Sequence, residues 1–257
     1  MKIHSLLLTC FALAAGALTL RAEEFLSNGV KIHYEIAGQG EPVILIHGLY
    51  SSARMNWDMP GVTAALAKNF QVIALDNRGH GQSDKPTGED QYGAEMAEDI
   101  VRLMDHLHIQ KARVVGYSLG GMITMKLLTL HPDRVKSAVL GGMGWLKEGG
   151  PLQKFWNILP SRGGSTVPPA CLRGMAKLAV TEEQVKAVRV PVTLIAGDRD
   201  PCQRLYIDPL LRIRPDWPEH VVKNAGHISC VVKQQFKDEL EKALQQPADA
   251  TPPPPNP

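Results

Sequence analysis

The chain contains no CxxC pair, no cluster of histidines and no stretch of basic residues interleaved with aromatics. The first two absences argue against a metal or redox-cysteine centre. The third argues against a nucleic-acid partner. Neither sign of charge dominates: 28 Lys and Arg stand against 26 Asp and Glu, for a formal net charge of +2. Cysteine is scarce, at four residues, and there is no internal repeat. What remains, 44% hydrophobic and 21% charged, is the composition of an ordinary soluble globular domain.

One long apolar run stands out, from Leu6 to Leu20, with Lys2 before it and Ala22 followed by Glu23-Glu24 after it. This predicts a secretory signal peptide over residues 1–22, cleaved after Ala22. An uncleaved anchor is the alternative, because the run borders on the length of a membrane span. Cleavage is favoured because Arg21 and Ala22 end the run and the fold begins at once. The expected location is then secreted or periplasmic, with no membrane partner after processing. Loss of Lys2 and Arg21 takes the formal charge from +2 to 0. At the other end, residues 247–257 finish in Thr251-Pro252-Pro253-Pro254-Pro255-Asn256-Pro257, an extended and disordered tail. Between leader and tail about 220 residues, within 23–246, suffice for one α/β domain with its own core.

Within that domain, short apolar runs alternate with helical patterns. Strands are predicted at 43–47, 71–75, 112–116, 136–141, 191–196 and 220–223, after a hairpin over 24–37 that turns at Asn28-Gly29. Residues 95–108 carry Met96, Ile100, Leu103, Met104 and Leu107 on one helical face, and a last helix spans about 232–245. Such alternation implies a mostly parallel sheet covered by helices on both faces. Ligands of such sheets bind beyond the carboxyl ends of the strands.

Residues 112–121, Ala-Arg-Val-Val-Gly-Tyr-Ser-Leu-Gly-Gly, read as strand, sharp turn and helix with Ser118 at the turn. This is G-x-S-x-G in the context that exposes a serine hydroxyl. A serine becomes a nucleophile when imidazole takes its proton and a carboxylate orients the imidazole. His227 follows the strand and loop of residues 220–226, and a strand near 191–196 ends in Gly197-Asp198-Arg199-Asp200. Ser118 is therefore the candidate nucleophile, His227 the base and then acid, and Asp200 the orienting carboxylate. Asp198 competes with Asp200, and one of the two caps its own turn. Asp200 is favoured because it lies further beyond the strand. For the oxyanion, the candidate donors are the backbone N–H groups of Leu119, just after Ser118, and of Leu49, in the loop after Val43-Ile44-Leu45-Ile46. His47 is expected to shape that loop by hydrogen bonding.

With these motifs in order, the chain resembles the α/β-hydrolase superfamily over roughly residues 24–245. Asp76-Asn77-Arg78-Gly79-His80-Gly81-Gln82-Ser83-Asp84 resembles the family's loop after its fourth strand, and His131-Pro132-Asp133-Arg134-Val135 the end of its nucleophile helix. Asp76 and Arg78 are expected to act as an ion-paired loop anchor. The resemblance also favours Asp200 over Asp198. It implies an α/β-hydrolase fold with a short lid over 145–189, rich in Gly and Pro. Trp145, Phe155 and Trp156, with Leu159 and Met175, are the lid's apolar residues and candidates for a pocket wall. Thr181 and Gln184 have capping-box spacing before a short helix.

Ser118 argues against the dehalogenase and epoxide-hydrolase branches, which the resemblance associates with an aspartate at the elbow. The expectation is a serine hydrolase acting on a small-molecule carboxylic ester, thioester or lactone, with no cofactor and no metal. A C–C bond hydrolase or cofactor-free perhydrolase of the same fold, or a ligand receptor that does not turn over, are the alternatives. The sequence sets neither the oligomeric state nor the natural substrate. After loss of Cys10, Cys171, Cys202 and Cys230 remain. Cys202 and Cys230 follow the acid and the histidine by two and three residues, so a bridge between them would staple the two loops. Two separate buried thiols are the equal alternative.

Overall fold

Residues 20–158 and 166–246 are described by the computed structural model. Strands β1 (Arg21–Ser27) and β2 (Val30–Ala37) form the hairpin, and Asn28 and Gly29 both adopt positive φ, 48° and 80°. That is the pair of left-handed residues a two-residue hairpin turn needs. Strands β3 (Glu41–Ile46), β4 (Phe70–Leu75), β5 (Ala112–Tyr117), β6 (Val135–Gly141), β7 (Val192–Gly197) and β8 (Glu219–Val222) follow. The sheet order is β1-β2-β4-β3-β5-β6-β7-β8. β1, β2 and β4 pair antiparallel, and every later pairing is parallel. Every residue of β5 and β7 is buried, which is why apolar residues stand at adjacent positions in them, Val114-Val115 and Leu194-Ile195-Ala196, rather than at alternating ones.

The helices are α1 (Val62–Leu66), α2 (Ala94–His106), α3 (Leu119–Leu130), α4 (Pro151–Ile158), α5 (Pro169–Gly174), α6 (Glu182–Ala187), α7 (Asp208–Ile213) and α8 (Gln234–Gln245). Helices α2 and α3 pack Met96, Ile100, Leu103, Met122, Ile123 and Leu127 on one face of the sheet. Helices α1 and α8 pack Val62, Leu66, Phe236, Leu240 and Leu244 on the other. Each such buried side chain contributes about 1.5–3 kcal/mol of transfer free energy. The His106-Leu107 turn closes α2, and His106 stacks on Phe25 with ring centroids 5.4 Å apart. Helix α6 begins in a complete capping box: Thr181 Oγ1 accepts from Gln184 N at 3.2 Å, and Gln184 Oε1 accepts from Thr181 N at 2.9 Å. Among the described residues, no helix is long and apolar enough to cross a membrane. The proposed signal peptide before residue 20, Leu159 of the lid and the tail from residue 247 lie outside the described residues.

The loop after β4 is anchored, though not by the pair the sequence suggested. Arg78 reaches across to Asp99 of α2, with Nε to Oδ2 at 2.7 Å and Nη2 to Oδ1 at 2.6 Å. Asp76 instead accepts backbone N–H bonds from Ala53 and Gln82, both at 2.7 Å. Arg78 points toward α2 because the buried Asp99 carboxylate there needs a fork-shaped cation.

A second buried carboxyl lies close by. Glu35 of β2 faces Asp58, and burial, the Asp58 hydrogen bond and the nearby charges of Asp58 and Asp76 raise its carboxyl from 4.5 to about 7, against the lowering effect of Arg54. A carboxyl raised on folding stabilises the fold fully below its unfolded value, and the contribution is lost as pH rises to the folded value. The amide of Glu35→Gln removes this titration. The melting-temperature advantage of wild type over Glu35→Gln should therefore shrink as pH rises from about 4.5 to about 7 and stay constant above. A difference that does not vary with pH in thermal melts would show that Glu35 ionises normally.

Candidate active site

Strand β5 delivers Ser118 to the carboxyl edge of the sheet, and α3 begins at the next residue. Ser118 sits at φ 55°, ψ −114°, a backbone conformation that non-glycine residues rarely hold. Its N–H donates to Gly141 O at 2.8 Å, which ties the turn to β6. The close crossing of strand and helix depends on glycine: a Cβ on Gly120 would run into the Ile46 carbonyl, and one on Gly116 into Gly120 O and Thr124 Oγ1.

Three loop ends meet at this point. Ser118 Oγ and His227 Nε2 are 2.8 Å apart, and His227 Nδ1 lies 2.8 Å from Asp200 Oδ2. The Asp200 side chain is wholly buried, so Nδ1 carries the proton and Nε2 is left to accept from Ser118. Asp200 Oδ1 accepts from Cys202 N at 2.8 Å, which fixes the carboxylate in the plane it presents to His227. The backbone of His227 is held as well, because the Tyr117 hydroxyl donates to its carbonyl. Burial and the neighbouring Cys230 and Asp200 raise the Tyr117 phenol far above its ordinary value, so it stays a donor.

Asp198 has the other role. It is exposed, and it accepts from Asn224 N at 3.0 Å and Ala225 N at 3.1 Å. Those two backbone N–H groups hold its carboxyl below the usual range. It closes the loop that leads to His227 without reaching the imidazole.

Leu49 stands on the cavity wall beside Ser118 and His227, and its N–H has no acceptor among the described residues. Leu119 opens α3, so its N–H is one of the helix's unpaired N-terminal donors. Gly48 between them is buttressed: its N–H donates to Asn56 Oδ1 at 3.1 Å. His47 accepts from Asn77 N through Nε2 at 3.0 Å and donates from Nδ1 to Gly48 O at 2.7 Å. Burial takes His47 down to about 4, and burial with the neighbouring His47 takes His80 down to about 3. Both rings are neutral parts of the loop.

A cavity of about 360 Å³ opens over Ser118 and His227. Its walls include Leu49, Tyr50, Met55, Asn56, Ile228 and Val231, with Tyr117 behind the serine. Among the described residues that line it, Trp145, Phe155 and Trp156 do not occur. Trp145 is a core residue whose Nε1 donates to Val180 O at 2.9 Å. Trp156 Nε1 donates to the Tyr206 hydroxyl at 3.1 Å, and Phe155 packs against Trp156 and is half exposed. The wall residues Met55 and Asn56 belong to the turn at Arg54–Asp58, a segment without helical periodicity in the sequence. Asn56 was missed for that reason, although its Nδ2 is buried without a partner at the cavity edge. Cys171, Cys202 and Cys230 are all free thiols, so the two loops are held by hydrogen bonds rather than by a bridge.

The family model described as alpha/beta hydrolase fold matches residues 41–187, more than half of the chain. The chain belongs to the α/β-hydrolase family. This α/β-hydrolase is 33% identical over 169 residues to an uncharacterized protein of Mycobacterium tuberculosis, covering 66% of this chain and 43% of that one. It is 35% identical over 145 residues to 2-hydroxymuconate semialdehyde hydrolase of Pseudomonas sp. (strain CF600), covering 54% of this chain and 50% of that protein. The chain thus spans half the length, or less, of these curated relatives. Among solved structures, a meta-cleavage product hydrolase of Pseudomonas fluorescens superposes with TM-score 0.69 at 25% identity, covering 86% of this chain and 97% of that one. An epoxide hydrolase of Vigna radiata superposes with TM-score 0.72 at 18% identity, over 88% of this chain and 98% of that one, and that likeness shows the fold alone.

Proposed function

We propose that this α/β-hydrolase is an exported serine hydrolase that cleaves carboxylic esters, thioesters or lactones through an acyl-enzyme. One observation carries the reading: a hydroxyl on a strained elbow shares a 2.8 Å hydrogen bond with His227 Nε2, and buried Asp200 holds the opposite ring nitrogen. Ser118 attacks the substrate carbonyl while His227 takes its proton. Asp200 keeps the Nδ1–H tautomer and stabilises the imidazolium. The N–H groups of Leu49 and Leu119 meet the oxyanion. His227 then protonates the leaving group, deprotonates a water for attack on the acyl-enzyme, and Ser118 is regenerated.

The cavity walls support a neutral, apolar substituent on the substrate. Leu49, Met55, Ile228 and Val231 supply apolar surface, and among the described residues no Lys or Arg lines this cavity. A volume of about 360 Å³ suits a small molecule. Similarity to 2-hydroxymuconate semialdehyde hydrolase favours a second reading, C–C bond hydrolysis. A muconate-type substrate carries a carboxylate, and the described walls of this cavity are apolar or neutral and suit a neutral ester better, so the ester reading is preferred. Export is supported by the Leu6–Leu20 run and by Ala22 before Glu23-Glu24. Cleavage there trims two residues, Arg21 and Ala22, from the end of edge strand β1.

The test is fluorophosphonate labelling of the purified protein with peptide mapping, followed by kcat/KM for neutral p-nitrophenyl esters and for a ring-cleavage dienoate. The expected result is labelling at Ser118 and preference for the esters. A folded protein that takes no label, or that cleaves only the dienoate, would overturn the reading, and the first of these outcomes would point to a receptor.

A further inference from the structure

The loop that supplies Asp200 also brings a thiol to the same place. Cys202 follows by two residues, and its backbone N–H donates to Asp200 Oδ1 at 2.8 Å. A carboxylate oxygen of Asp200, a ring nitrogen of His227 and Sγ of Cys202 all lie within 4.8 Å of one another. A tetrahedral zinc ion, with bonds of about 2.0–2.3 Å, spaces its ligand atoms by about 3.3–3.8 Å. Small side-chain movements therefore bring the three donors to coordination distance. Thiolate, imidazole and carboxylate together form a donor set suited to Zn²⁺ or Cd²⁺ and unsuited to Mg²⁺ or Ca²⁺, which take oxygen ligands.

We propose that Asp200, Cys202 and His227 form an inhibitory binding site for a thiophilic divalent cation such as Zn²⁺. The inhibitory part rests on the reading of Ser118 as nucleophile and His227 as base. Without the ion, Nδ1–H donates to Asp200 Oδ2 and Nε2 accepts from Ser118. The ion takes the Nδ1 lone pair, and the ring proton moves to Nε2. Nε2–H then faces Ser118 Oγ as a donor and cannot take its proton. The Cys202 thiol gives its proton to water as the Sγ–metal bond forms, so one proton is released per ion and nothing is oxidised.

Binding is measured by calorimetry with ZnCl₂, and by thiolate-to-metal ultraviolet absorption with CdCl₂, on Ser118→Ala protein, where turnover plays no part. One ion per chain is expected, with affinity reduced about tenfold or more by adding Cys202→Ala and unchanged by adding Cys230→Ala. In the Ser118 protein, ZnCl₂ inhibition, each variant referenced to its own metal-free rate, is expected to weaken by the same factor in Cys202→Ala. Equal zinc affinity with and without Cys202, or loss that follows Cys230 instead, would overturn the site. Zinc bound through Cys202 in a protein that hydrolyses no ester would support the site while refuting the proposed reaction. Ester hydrolysis with zinc affinity indifferent to Cys202 would do the reverse.

Discussion

Ser118→Ala is expected to lower kcat/KM on the best ester by about 10⁴–10⁶-fold and to abolish fluorophosphonate labelling. The alanine keeps the backbone turn and deletes the atom 2.8 Å from His227 Nε2. His227→Ala should cost a similar factor, and the double variant no more than either single one, because nucleophile and base act as one unit. The proposed oxyanion donors at Leu49 and Leu119 are backbone groups and survive both changes, so a small rate above the uncatalysed reaction should persist. Circular dichroism and melting temperature should stay near wild type for Ser118→Ala, since the hydroxyl makes no other bond among the described residues. Comparable losses in single and double variants identify a coupled pair. Multiplying losses would mean that His227 acts on the substrate independently of Ser118.

Much of this arrangement was legible in the residues, for identifiable reasons. Strands β5 and β7 are buried on both faces and so carry adjacent apolar residues, Val114-Val115 and Leu194-Ile195-Ala196, and the observed bounds of β3 to β8 differ from the expected ones by two residues at most. Ser118 and Asp200 sit just past β5 and β7, and His227 lies in the loop after β8, where loop ends converge in an α/β sheet. Helix α2 declared itself through a strong apolar stripe. The turn at Arg54–Asp58 and helices α1, α4, α5 and α7 were not legible, since each spans only five to eight residues, too few for a periodic signal. The wall at Tyr50, Met55 and Ile228 was not legible for a related reason. A large aromatic in a lid is equally suited to packing and to a pocket, and Trp145 is committed to the core by its bond to Val180. Arg78 could not be paired from sequence, because Asp99 is 21 residues away and only the packing of α2 brings it near.

Asp200→Asn and Asp198→Asn should separate two carboxylates that the sequence places two residues apart. At position 200 the expected loss in kcat is about 10⁴-fold. The new Nδ2 donates where Oδ2 accepted, or the carbonyl remains but without charge. In the first case His227 adopts the tautomer with its proton on Nε2, facing Ser118. In the second the imidazolium forms without a counter-charge in a site where Asp200 has no solvent contact. Fluorophosphonate labelling should slow rather than vanish, because the serine remains. At position 198 the asparagine can still accept through one oxygen, so one of the bonds from Asn224 N and Ala225 N is lost and the other is no longer charge-assisted. Turnover should stay within about tenfold of wild type, and the melting temperature should fall, because the loop before His227 loses part of its closure. The sign of the comparison assigns the roles: a variant that melts normally and fails to turn over marks the carboxylate that orients the histidine. The reverse pattern, a large kinetic loss at Asp198 with an active Asp200→Asn, would require His227 to leave the 2.8 Å contact with Asp200 during the reaction and take its orientation from the exposed acid.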